Sequence, residues 1–228
     1  LDLYLPPINE ASRGGKRFIF HCARLADELT RALEGALPEP RLIPAGRDDE
    51  TWRMLAEEDD LHLDLRALTM RFVVPRKLAE KTPARLSAYR EDGGTIGGEA
   101  DPHKAVELGF WQDFARQGIT DAQVRISAGK FHHAYAELEE RLRAERFLLG
   151  GEISLVDIAW FIYTHRLRVA GYPFARLHPA VNAWYRGLFS RAEFSGEIKT
   201  PPPLRAITAA LHASQAVRGK SLARVSGL

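Results

Sequence analysis

Cysteine is scarce in this chain of 228 residues, which contains only Cys22. A disulfide needs two cysteines, so an intrachain crosslink of this kind is excluded for this stretch of sequence. Stabilisation by a packed core without disulfides is typical of proteins in a reducing compartment. The sequence therefore predicts a cytoplasmic protein.

Long apolar runs and a strong charge of either sign are also missing. No stretch approaches the roughly 18 apolar residues that a membrane-spanning helix needs, and the start of the chain does not read as a signal peptide. The 32 lysines and arginines nearly balance the 30 acidic residues, which leaves a net charge of +2. Neither a membrane nor a nucleic acid is expected as a partner.

What the sequence does contain is a clear helix start at Ser154. Asp157 follows three residues later, the spacing of a capping box, in which each side chain accepts the backbone N–H of the other residue. The next residues are almost all apolar. A helix without a polar face belongs in the middle of a domain. We therefore expect a central buried helix here.

Three pieces of sequence around this helix carry a family resemblance. FLLGG at 147–151 precedes SLVDIA at 154–159, HPAV at 178–181 precedes Trp184 and Tyr185, and Arg191 and Phe194 follow. In order and spacing these pieces resemble the C-terminal domain of cytosolic glutathione S-transferases. The one departure in the last piece is Ala192, where the family usually has proline. The resemblance implies a mostly α fold, a helical bundle preceded by a remnant of a thioredoxin-like α/β domain.

The resemblance also implies a division into domains. Residues 1–38 would be part of the thioredoxin-like glutathione-binding domain, 39–47 the linker and 48–228 the all-helical domain. The sequence before Cys22 predicts a small β-hairpin, and a helix is expected from Cys22 to just before Pro38. His21 and Cys22 stand where the family has a Glu-Ser pair that helps to hold glutathione at a helix N-terminus.

The family residue that activates the glutathione thiol belongs to a first βαβ unit, which this sequence lacks. The sequence therefore assigns no catalytic residue, which stays unknown. We expect the 228 residues alone to conjugate glutathione poorly. Cys22 could react as a thiolate at the start of a helix. The more ordinary interpretation is that it simply replaces serine.

A long helix is predicted from Asp48 or Asp49 to about Met70. Trp52, Leu63 and other apolar residues repeat along it at helical spacing. Asp59, His62 and Arg66 lie beside this stripe and could face a substrate cleft. The more ordinary interpretation is a solvated face that carries a salt bridge.

The segments that follow give fewer signals. Residues 73–100 are expected to be an irregular insertion, because they contain prolines and two Gly-Gly pairs. Helices are predicted at 103–117 and from Thr120 to about Glu145. The neighbours His132 and His133 would point in different directions on that second helix, so no metal site is expected. The tail from Pro201 is expected to be a helix that covers the cleft or frays.

Two functions of different classes remain open. In the first, the full-length protein is an enzyme that transfers the thiolate of glutathione, its co-substrate, to a small apolar electrophile, and it acts as a homodimer. In the second, it is a non-catalytic binding or scaffold protein that has lost glutathione activation. For each aromatic or apolar candidate for the electrophile pocket, the more ordinary interpretation is a core residue. The predicted substrate-pocket residues are Trp52, Asp59, His62, Met70, Phe72, Phe110 and Trp111.

Overall fold

The computed structural model describes residues 41–91, 95–96, 99–100, 102–198 and 201–228. The predicted hairpin, the helix expected from Cys22 and the thioredoxin-like remnant lie outside these residues. The helices in the first half are α1 (Asp48–Asp60), α2 (His62–Phe72), α3 (Arg76–Ala79), α4 (Pro83–Glu91) and α5 (Pro102–Gln117). The later helices are α6 (Asp121–Ala144), α7 (Leu155–Ala170), α8 (Phe174–Leu177), α9 (Pro179–Phe189), α10 (Ala192–Glu197), α11 (Pro202–Val217) and α12 (Leu222–Ser226).

The mostly α fold is confirmed, with a helical bundle built around α7. This helix packs against α1, α2 and α9, and α6 packs against α2, α9 and α12. Val156, Trp160 and Leu167 of α7 are at most 2% exposed, although Ile162 on its outer side is 38% exposed. The two short strands Thr95–Ile96 and Glu99–Ala100 form an antiparallel pair. Within the described residues, no helix is both long enough and apolar enough to cross a membrane.

The single helix expected from Asp48 to Met70 is instead two helices, which meet at Leu61. There the backbone tightens, because the Leu61 N–H donates to the carbonyl of Glu58, three residues back. The turn changes which residues point inward. Thr51 and Met54 of α1 are buried, while Trp52, assigned to the apolar stripe, is only half-buried.

The segment 73–100 is more regular than expected, because α3 and α4 lie within it. The start of α4 explains the difference. The Thr82 hydroxyl accepts the N–H of Arg85 at 3.3 Å, and Pro83 occupies the first helical turn, where a missing N–H costs nothing. Leu86 then anchors this helix in the core with an exposure of 7%. Proline here marks the beginning of a helix, not a loop.

The C-terminal tail is docked on the bundle. His212 and Gln215 of α11 both lie within hydrogen-bond distance of the carbonyl oxygen of Phe72, at 3.1 and 3.4 Å. After α11, Leu222 and Val225 of α12 are 1% and 8% exposed. The alternative prediction of a frayed C-terminus is therefore wrong.

Candidate functional site

The predicted capping box at the start of α7 is confirmed and is the centre of a larger network. The Asp157 N–H donates to the Ser154 hydroxyl oxygen, and the Asp157 carboxylate accepts the Ser154 N–H at 2.9 Å. That carboxylate also accepts the Leu148 N–H at 3.0 Å and the Trp184 indole N–H at 2.8 Å. Asp157 is fully buried. One carboxylate thus joins the loop before α7, α7 itself and α9.

A second buried carboxylate fixes the start of α9. Glu139 of α6 accepts the N–H groups of Ala180 and Val181 at 3.0 Å each, and it is 4% exposed. The first N–H groups of a helix have no partner within the helix and attract negative charge. Pro179 stands just before these residues in the first turn. The HPAV sequence is therefore a docking point between α6 and α9.

The histidine of that sequence is held neutral in the interior. His178 is 1% exposed. Its Nε2 lies 3.1 Å from the Tyr172 hydroxyl and 3.3 Å from Nδ1 of His132. Burial, with the neighbouring His132 second, lowers the pKa of His178 to about 4. His133 points away, with an 84% exposed side chain near Glu137. Among the residues that the structure describes, no group of three or more His, Cys, Asp or Glu side chains could hold a metal ion.

These buried contacts join the first two of the three sequence pieces that carried the resemblance. A comparison with protein families points to the same resemblance. Residues 114–187, from the end of α5 into α9, match the family described as Glutathione S-transferase, C-terminal domain. By this match, residues 114–187 are a glutathione S-transferase C-terminal domain. Searches of curated proteins and of solved structures found no significant match.

The residues predicted to line a substrate pocket fall into two groups, one accessible and one buried in the core. Trp52, His62 and Phe110 are half-buried and Asp59 is exposed, so these four are accessible. His21 and Cys22, proposed to bind glutathione, lie outside the described residues. The remaining three candidates lie in the packed core, with exposures of 2% for Met70, 1% for Phe72 and 0% for Trp111.

The three polar residues Asp59, His62 and Arg66 do not form one polar cluster in the structure. Arg66 is 5% exposed and forms an ion pair with Glu107 of α5, while its guanidinium lies 5.2 Å from the centre of the Phe110 ring. His62 instead lies against the backbone, with Nδ1 3.0 Å from the carbonyl oxygen of Asp59. Arg66 is therefore neither a cleft residue nor part of a solvated face. It ties α2 to α5 inside the bundle.

A polar group that the sequence did not reveal lies between α1 and α7. Glu58 of α1 and the hydroxyl of Tyr163 on α7 interact, and the charge of Arg166 also acts on Glu58. Glu58 is half-buried and Tyr163 is 8% exposed. Hereafter Glu58, Tyr163 and Arg166 are called the α1–α7 cluster. Glu58 could have attracted attention because it follows the buried Met54 at helical spacing, on the inner face of α1.

The α1–α7 cluster favours a proton on Glu58. Burial, and then the neighbouring charge of Asp59, raises the pKa of the Glu58 carboxyl from 4.5 to about 8, although Tyr163 and Arg166 act in the opposite direction. Burial and the Glu58 charge raise the pKa of Tyr163 above its ordinary value. The protonated form of each group is therefore favoured near neutral pH. A neutral carboxyl can donate a hydrogen bond or a proton, which a carboxylate cannot do.

Proposed function

We propose that the full-length protein is a glutathione S-transferase that transfers the thiolate of glutathione, its co-substrate, to a small apolar electrophile. The observation that carries this proposal is the C-terminal transferase domain at residues 114–187. We propose further that residues 1–38 belong to a glutathione-binding domain, with His21 and Cys22 at a helix start, and that 39–47 link it to the helical domain. The protein would be cytoplasmic and a homodimer.

The accessible side chains on α1, α2 and α5 support an electrophile site on the helical domain. Trp52, His62 and Phe110 offer aromatic surface that is only half-buried. Ligand pockets are commonly apolar walls with a few polar groups that fix orientation. The α1–α7 cluster would supply such groups, because strongly shifted pKa values are concentrated at functional sites.

Turnover by the full-length protein tests this proposal. The rate of glutathione conjugation to a chlorodinitrobenzene should be well above the uncatalysed rate, and the protein should be retained on glutathione-agarose. Retention without turnover would favour the non-catalytic binding protein. The absence of both retention and turnover would contradict a glutathione function altogether. A Cys22→Ala variant should keep the activity, because we expect Cys22 only to replace serine. Loss of activity in that variant would make Cys22 the nucleophile or an essential glutathione contact.

Trp52 can be tested as a wall of the electrophile site. Trp52→Ala should raise KM for the chlorodinitrobenzene by about tenfold or more, since even one methylene in a hydrophobic pocket is worth about 1–3 kcal/mol of binding. Arg53→Ala is the matched control, because Arg53 is exposed on the same turn and pairs with Glu57. Equal KM values for the two variants would remove Trp52 from the site.

A further inference from the structure

The segment from α7 to α9 carries positive charge but almost no negative charge. Between Asp157 and Glu193 the sequence contains no acidic residue, and Asp157 itself is fully buried. The arginines of the same segment are Arg166, Arg168, Arg176, Arg186 and Arg191. A surface with one sign of charge attracts groups of the opposite sign and repels its own. The side of the bundle that α7 and α9 form is therefore suited to an acidic partner.

Aromatic rings join α7 to α9 and leave two apolar side chains exposed at the contact. The His165 ring stacks on Tyr185 at 6.2 Å and on Phe189 at 6.4 Å between centroids. Nδ1 of His165 also lies 2.8 Å from the Tyr185 hydroxyl. Phe189 is nevertheless 43% exposed, and Ile162, one turn before His165 on α7, is 38% exposed. Because the stack already holds Phe189 in place, this side chain loses little entropy when a partner covers it.

Arginines lie at the edge of this apolar area. Arg168 donates to the side chain of Asn182, and its guanidinium lies 4.7 Å from the centre of the Tyr185 ring. Arg186 is exposed one turn from Asn182 and from Phe189 on α9. It has no carboxylate partner among the side chains that the structure describes. The term α7–α9 face is used below for Ile162, His165, Arg168, Arg186 and Phe189.

We propose that the α7–α9 face is a docking surface for an acidic amphipathic helix of another protein. Two adjacent helices offer a third helix a place to lie between their ridges. Ile162 and Phe189 pack against the apolar side of that helix. Arg168 and Arg186 attract the carboxylates along its edges and fix its orientation. This inference is independent of the proposed glutathione chemistry.

The same charges disfavour other occupants of the α7–α9 face. A second copy of the chain that docked through its own α7–α9 face would place arginine against arginine, and like charges across an interface are repulsive. A nucleic acid is expected to meet a dense row of lysines and arginines. Helices α7 and α9 contain no lysine, however, and Ile162 and Phe189 are apolar. An anionic lipid surface has the same sign of charge as an acidic helix, so the experiment distinguishes the two.

The test measures the affinity of the full-length protein for two synthetic helical peptides. One peptide carries leucines at i, i+3, i+4 and i+7 and glutamates elsewhere, and the other has lysine in place of each glutamate. The variants are Phe189→Ala and Arg186→Glu, both at exposed positions where the fold should be retained. Arg205→Glu is the matched control, because Arg205 is exposed on α11 and its reversal changes the net charge equally. Vesicles that contain phosphatidylserine provide the membrane comparison.

The glutamate peptide should bind wild type at least about tenfold more tightly than the lysine peptide. Phe189→Ala and Arg186→Glu should each weaken binding of the glutamate peptide by about tenfold or more, because each removes a central contact. Arg186→Glu should also strengthen binding of the lysine peptide. Arg205→Glu should leave both affinities close to those of wild type.

Three results would overturn the docking role. One is that neither peptide binds, or that the two bind equally well. Another is an equal loss of affinity in Arg205→Glu, which would reduce the effect to net charge. The last is binding to the vesicles that depends on Phe189 in a protein that does not bind the glutamate peptide. That result would make the α7–α9 face a membrane-binding surface instead.

Discussion

Single buried residues connect several elements of this domain, and Asp157 is the clearest case. Its carboxylate serves the local cap of α7, which the Ser154–Asp157 spacing predicted. It also binds Leu148 and Trp184, which no local pattern indicates. The sequence thus predicted the helix start, but the junction of three elements depends on packing between distant segments.

Asp157→Ala should therefore lower the free energy of unfolding by more than the loss of a helix cap alone would. We expect the free energy of unfolding to fall by at least about 3 kcal/mol, because several buried donors lose their acceptor at once. Thr120→Ala is the matched control, since Thr120 caps α6 with one exposed hydrogen bond and should cost about 1 kcal/mol. Urea unfolding measures both variants. Equal losses would show that the contacts beyond the cap contribute nothing.

Whole elements were predicted best where the signal is local. The helices at 103–117 and from Thr120 to about Glu145 agree with α5 and α6 to within a residue. The turn at Leu61 was missed because nothing in its sequence interrupts the helical pattern. Helix α4 was missed because its proline was taken as a sign of irregular structure. The ion pair of Arg66 with Glu107 was also unpredictable, because it depends on α2 packing against α5.

The docked C-terminal helix α12 gives a testable prediction about a whole element. Leu222→Ala should lower the free energy of unfolding by about 2–5 kcal/mol, because it leaves a cavity beneath α12. Val217→Ala, at a position that is 90% exposed, should be nearly neutral. Urea unfolding of the two variants makes the comparison. A neutral Leu222→Ala would mean that α12 is not part of the folded bundle.

At the scale of the whole molecule, the sequence identified the transferase domain and its mostly α fold but not the polar group between α1 and α7. The motifs that carried the resemblance are structural contacts, so they indicate a fold and not a chemistry. Glu58 resembles any other glutamate in an acidic stretch of helix. Only the packing of α7 against α1 shows that this carboxyl is partly shielded from water near Tyr163.

The stability of the molecule as a function of pH tests the protonated Glu58 most directly. Its folded-state pKa is raised from 4.5 to about 8, so the folded state binds more protons than the unfolded state between these values. Its contribution to stability is thus present below about pH 4.5 and is lost as pH rises through about 8. The loss amounts to a few kcal/mol, at about 1.4 kcal/mol per pKa unit.

Glu58→Gln keeps a neutral side chain at every pH and is the proper reference, with Glu57→Gln as the control for the removal of an exposed carboxylate. The measurement is the free energy of unfolding from pH 4 to 9. We predict that wild type loses stability relative to Glu58→Gln as pH rises from 4.5 to about 8. A difference that stays constant, or that changes in favour of wild type, would contradict a protonated Glu58 at the α1–α7 contact.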